Sequence, residues 1–79
     1  MPLRKAWRDL DRSTVGRAPE RWGVYELGED GEVSEVGAGV LRDELKTALS
    51  YGTASQVRWE ATPSKARAEE LAREHRDRL

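Results

Sequence analysis

The chain has 79 residues, 37% of them charged and 37% hydrophobic, and a formal net charge of -1. That length allows one small domain, which buries only about 60% of the surface its unfolded chain exposes. There are no cysteines and a single histidine, His75, which excludes disulfides, thiolate nucleophiles, cysteine-based zinc sites and any multi-histidine metal centre. No run approaches the roughly 20 apolar residues of a membrane span, and Met1 to Leu10 lacks the apolar core of a signal peptide. The expectation is a soluble, cytoplasmic domain with no membrane partner.

Residues 1–18 show no clear period and are read as an N-terminal arm. Asp11 or Ser13 can cap one helical turn over Thr14–Arg17, stopped before Pro19. Trp22 to Leu27 reads as a strand, with Val24 and Glu26 on one face and Tyr25 and Leu27 on the other. Gly28 to Gly31 is expected as the turn, since Asp30-Gly31 suits the positive φ angles of a tight hairpin. Glu32 to Val36 is the return strand, with Ser34 and Val36 on one face and Val33 and Glu35 on the other. Gly37-Ala38-Gly39 is expected to break it.

A helix is predicted from about Val40 to Tyr51, with Leu41, Leu45, Ala48 and Leu49 as its apolar stripe and Gly52 as its terminator. Ser55 to Ala61 reads as a third strand, with Val57, Trp59 and Ala61 on the apolar face. Trp59 is expected in the core, as is at least one of Trp7 and Trp22. Thr62-Pro63 predicts the start of a last helix, threonine as cap and proline in the first turn. That helix runs to about Arg78, with Ala68, Leu71, Ala72, His75 and Leu79 on one stripe. His75 reads there as a boundary residue.

Charge is unevenly distributed. Residues 1–22 carry six basic and three acidic side chains, residues 23–46 two basic and seven acidic, and residues 47–79 six basic and five acidic. The acidic block coincides with the hairpin and the helix that follows. A nucleic-acid interface needs the opposite sign, because phosphate neutralisation supplies most of its affinity.

The runs Gly23-Val24-Tyr25 and Glu35-Val36-Gly37 bracket the hairpin turn, and a helix follows at once. This arrangement resembles the opening of the GIY-YIG nuclease superfamily, over roughly Pro19 to the C-terminus. The resemblance implies an α+β fold, a three-stranded antiparallel sheet in β-β-α-β-α order with packed helices, occupying residues 19–79. It also implies a site in which two tyrosines, a helix arginine and a metal-binding glutamate cleave phosphodiesters. Tyr25 matches the first tyrosine, and Glu35 replaces the second. Glu44 stands where the arginine belongs, with Arg42 nearby. Ala48 falls at a frequent histidine position, and Glu69 or Glu70 matches the metal glutamate.

Losing the second tyrosine and reversing the arginine's charge removes the means of stabilising an anionic transition state. The leading expectation is therefore a catalytically degenerate domain, with Tyr25, Arg42 and Glu70 as vestigial site residues, that acts by binding a protein partner of basic character. One alternative is a metal-dependent nuclease using Tyr25, Arg42 and Glu70. Another is a nucleic-acid binder working through Arg4, Lys5, Arg8 and Arg12. No cofactor is expected. Glu35 and Glu44 read either as a solvated acidic face or as a carboxylate pair able to hold Mg²⁺ or Mn²⁺ weakly.

Overall fold

The computed structural model describes residues 5–52 and 54–78; Arg4 and Leu79, which belong to the basic arm and the last apolar stripe, lie outside them. Seven elements follow in order: β1 (Arg8–Asp9), α1 (Arg12–Arg17), β2 (Trp22–Glu29), β3 (Glu32–Val40), α2 (Leu41–Tyr51), β4 (Gln56–Ala61) and α3 (Lys65–Arg76). The strands form one antiparallel sheet in the order β1-β4-β2-β3. The sheet thus has four strands where three were expected. The extra strand pairs only Arg8 with Val57 and Asp9 with Gln56, too short a stretch for alternation to show in sequence.

Residues 10–18 enter the core as well. Asp11 caps α1 by accepting a 2.8 Å hydrogen bond from the Thr14 amide, and Val15 and Ala18 are buried. They pack with Tyr25, Leu27, Leu41, Leu45 and Val57, so α1 and α2 cover one face of the sheet. The other face presents Val24 and Val36 to Ala72 of α3. Ala68 and Ala72 are small enough to bring α3 down onto the strands, and both are buried.

The hairpin is tighter than the sequence reading placed it. Asp30 and Gly31 alone form the loop, with φ of 53° and 81°, the double left-handed geometry of a two-residue hairpin. Gly28 stays in the strand. Leu27 pairs with Glu35 but Gly28 pairs with Val33, so Ser34 is an extra residue in a bulge. A bulge inverts the alternation beyond it. Val33 therefore joins Val36 on the α3 side, not Glu35 as simple alternation implied.

The last helix also begins differently. Thr62 is the final rung of the sheet, its amide bonded to Trp22 O at 2.8 Å, and its hydroxyl donates to Ser64 O at 2.9 Å. Ser64 is the cap, accepting from the Arg67 amide at 3.2 Å. The Thr62 hydroxyl is thus turned to a carbonyl and not to the helix amides, and the cap lies two residues on.

No tryptophan is fully buried. Each meets a cation: Arg8 over Trp59 at 5.0 Å, Arg58 over Trp7 at 4.1 Å and Lys65 over Trp22 at 5.7 Å. Trp59 is partly buried against the α1–α2 core, and Trp22 is 38% exposed. Trp59 closes one edge of the core under Arg8, while Trp7 covers Arg58, whose side chain is only 13% exposed.

The most deeply placed polar group is Glu26, mid-strand on β2 and 0% exposed. Its Oε1 accepts from Arg58 Nε at 2.7 Å, and His75 Nδ1 lies 3.3 Å from its Oε2. Glu26 and Arg58 are direct cross-strand partners. We expect Arg58→Ala to cost about 3–5 kcal/mol, the usual penalty for breaking a buried ion pair from one side. Replacing both residues, as in Glu26→Met with Arg58→Leu, should recover most of that loss. Urea unfolding of Arg58→Ala and of the double variant checks this; equal losses in the two would refute it.

Candidate functional site

The Glu35–Glu44 cleft is built by an unusual β3. Its strand does not stop at Gly37-Ala38-Gly39 but runs on to Val40. Gly37 pairs with Tyr25 and Gly39 with Gly23. The Tyr25 ring lies across Gly37, where a Cβ would run into the phenol, and the Glu44 side chain lies across Gly39, 2.5 Å from where a Cβ would sit. The two glycines thus serve as a flat floor for a tyrosine from β2 and a glutamate from α2, and not as breakers.

α2 sets Glu44 in place. No side chain caps this helix. Its first amides are taken by backbone carbonyls instead, Leu41 N to Arg21 O at 2.9 Å and Arg42 N to Pro19 O at 3.2 Å. Asp43 and Glu44 occupy its first turn, where carboxylates favour the positive end of the helix dipole.

Tyr25, Leu27, Glu35, Glu44, Thr47, Ala48, Tyr51 and Gly52 line a cleft of about 240 Å³. The Tyr25 hydroxyl donates to Glu44 Oε1 at 3.4 Å. Burial of the phenol pushes its pKa up to about 12, reinforced by the negative charges of Glu44 and Glu35. Tyr51 stands at the rim, 87% exposed. Among the described residues, neither Glu35 nor Glu44 has a basic partner within 4 Å. The result is a cleft with two carboxylates, two tyrosines and an apolar base.

Of the three residues Tyr25, Arg42 and Glu70, only Tyr25 lines this cleft. Arg42 turns to α1, with Nε on Ala18 O at 2.9 Å and Nη1 on Glu20 at 2.7 Å. Glu70 is on α3, paired with Arg67 at 2.5 Å, and α3 packs on the opposite face of the sheet from Tyr25. The structure joins Tyr25 instead to Glu35 and Glu44. Among the described residues, no three His, Asp or Glu side chains gather as a metal site, so Glu35 and Glu44 have no third carboxylate or imidazole ligand. No helix of the described residues is long and apolar enough to cross a membrane.

The cleft residue that sequence reasoning passed over is Tyr51. It ends the predicted helix three residues past Ala48, which places it on the side of α2 that faces Glu44 and Thr47 by helical spacing. That i, i+3, i+4 relation was the available signal.

Two outcomes follow. Gly37→Ala should destabilise the domain by about 1–3 kcal/mol, as overpacking does, and should lose less in a Tyr25→Ala background; equal losses in both backgrounds, read by thermal melting, would remove Gly37 from the tyrosine's support. Tyr25 is protonated in the folded state at pH values where a free tyrosine is already ionised. Folded protein therefore holds more protons than unfolded between pH 10 and about 12, and stability falls as pH rises through that window. Subtracting the phenolate absorbance titration of Tyr25→Phe from that of the parent should leave a transition centred near pH 12. Glu44→Gln should lower its midpoint.

The matched family model is described as a domain of unknown function, DUF7508, and it spans residues 1–78. No curated protein and no solved structure matches the chain. With residues 1–78 of its 79 covered by that one model, the chain belongs to the DUF7508 family.

Proposed function

We propose that this domain is a catalytically degenerate relative of the GIY-YIG nucleases that acts by binding a basic segment of a protein partner in the Tyr25–Glu35–Glu44 cleft. The observation that carries the reading is the pair of carboxylates beside a buried phenol with no basic side chain of their own within 4 Å. A lysine or arginine entering from outside gains two charge-assisted hydrogen bonds there and can rest its methylenes on Tyr51, Leu27 and Ala48. Aromatic residues at such a rim add cation–π attraction.

The link to the nucleases is supported by the hairpin–helix–strand–helix order and by Tyr25 meeting the two residues that stand in for catalytic groups. Degeneracy is supported by chemistry: two carboxylates surround the position where an anionic phosphate would sit, and Arg42 is engaged by Glu20 and Ala18.

The test is fluorescence anisotropy with labelled Lys/Arg-rich and Asp/Glu-rich peptides, together with nucleic-acid cleavage assays in Mg²⁺ and Mn²⁺. We expect the basic peptides alone to bind, to weaken with salt, and to lose about tenfold in affinity in Glu35→Gln/Glu44→Gln, the scale for removing partners of exposed charge pairs. Equal binding of acidic peptides would defeat the proposal. So would cleavage product that vanishes in Tyr25→Phe and Glu70→Ala, which would establish the nuclease.

A further inference from the structure

A second cavity lies at the opposite edge of the sheet, where the chain from residue 5 leaves β4. Lys5, Ala6, Arg8, Arg58 and Trp59 line about 150 Å³, and no carboxylate is among them. β1 covers β4 only at Gln56 and Val57, so the pocket opens beside the uncovered part of that strand. We propose that this pocket binds a phosphoryl dianion.

One of the three cations, Arg58, is fixed before any ligand arrives, and a second, Arg8, is drawn to a ring. Arg58 has a side chain only 13% exposed; its Nε is on Glu26 at 2.7 Å, its Nη1 on Lys5 O at 3.2 Å, and its plane is stacked on Trp7 at 4.1 Å. Arg8 is held over Trp59 at 5.0 Å. Neither Arg8 nor Lys5 has a carboxylate within 4 Å among the described residues. Stacking leaves the N–H edge of Arg8 open, and such an edge matches phosphate oxygens; Arg58 already commits Nε and Nη1 and adds its charge from below. Stacking also removes rotamer freedom that binding would otherwise have to remove.

Three cations against a single buried glutamate favour a dianion over a singly charged carboxylate. The ligand is therefore inorganic phosphate or a phosphate monoester, whose terminal group has the same chemistry. This site is separate from the acidic cleft: it shares none of its lining residues, and it does not depend on how that cleft is used.

Nitrogen–proton correlation NMR of the full chain at low ionic strength tests it, following the Trp59 indole during titration with inorganic phosphate, phosphoserine and acetate. The expected result is saturable shifts with phosphate at a dissociation constant of about 1 mM or below. Phosphoserine saturating as phosphate does assigns the source to monoesters, and phosphate alone saturating assigns it to the free ion. Arg8→Ala and Lys5→Ala, both at exposed positions, should each weaken binding about tenfold, with Arg8→Lys intermediate because it keeps charge but loses the planar fork. Thermal melts of these variants should match the parent. Acetate binding as tightly as phosphate, no saturation by either phosphate ligand, or unchanged affinity in Arg8→Ala would each overturn the proposal. Binding of a DNA oligonucleotide without terminal phosphates, in the absence of any phosphate response, would overturn it as well.

Discussion

A carboxylate at the centre of the sheet fixes how the layers meet. Glu26 is wholly enclosed, and an enclosed carboxylate is tolerated only when paired and hydrogen-bonded. Arg58 reaches it from β4, and His75 reaches it from α3. Each partner then commits a further part of the chain. Arg58 bonds Lys5 O and stacks on Trp7, which ties the N-terminal segment to the same point. His75 brings Nδ1 of α3 to 3.3 Å from Glu26 Oε2, and Arg76 next to it ties α3 to β3 by donating twice to Val36 O at 2.9 and 3.1 Å. A well-packed apolar centre could be equally stable. What the charged centre adds is selectivity, since any register of β4 or rotation of α3 that parts these groups leaves a buried charge without its partners.

The two sides of the sheet consequently differ in kind. The α3 side is organised around the buried Glu26, with Val24, Val36, Ala68 and Ala72 as its buried apolar residues among those described. The α1–α2 side holds the larger apolar cluster and carries the cleft at its margin. Gly37 and Gly39 make that margin possible. A strand residue with a side chain at either position would lift Tyr25 or Glu44 off the sheet. Glycines weaken a strand by entropy, and here the cost is offset by an aromatic ring packed directly on the backbone.

Much of this was readable from the sequence. The order of the long elements, the alternation along β2 and β4, and the stripes of α2 and α3 follow from period alone, because each element buries one face. The errors occurred where local pattern competes with tertiary contact. Gly37-Ala38-Gly39 reads as a breaker until the tyrosine that covers it is known. Val33 changes face because of one extra residue, and a bulge leaves no mark in an alternation so short. Thr62 is a good cap by propensity, yet its hydroxyl goes to the Ser64 carbonyl and Ser64 caps the helix. Tryptophans are expected inside, but here each is paired with a cation at an edge. Glu26 was visible as a charge on an otherwise apolar strand face, and its position opposite Arg58 follows from antiparallel pairing. What single-strand reading lacked was the register that puts the two side by side.

The site was legible in its parts but not in its grouping. Tyr25, Glu35 and Glu44 stand far apart in the chain, and only the hairpin register and the first turn of α2 bring them together. The net charge of -1 conceals the outcome. An acidic cleft lies beside α2, while Lys5, Arg8 and Arg58 gather at the β1–β4 edge with no acid between them. Such separation of sign gives a small protein a strong local field at each site despite near-neutrality overall, and orients an approaching charged molecule before contact. The basic edge rests on the buried pair: Glu26 offsets the charge of Arg58 from within the sheet, which lets a third cation stand beside Lys5 and Arg8 without driving them apart.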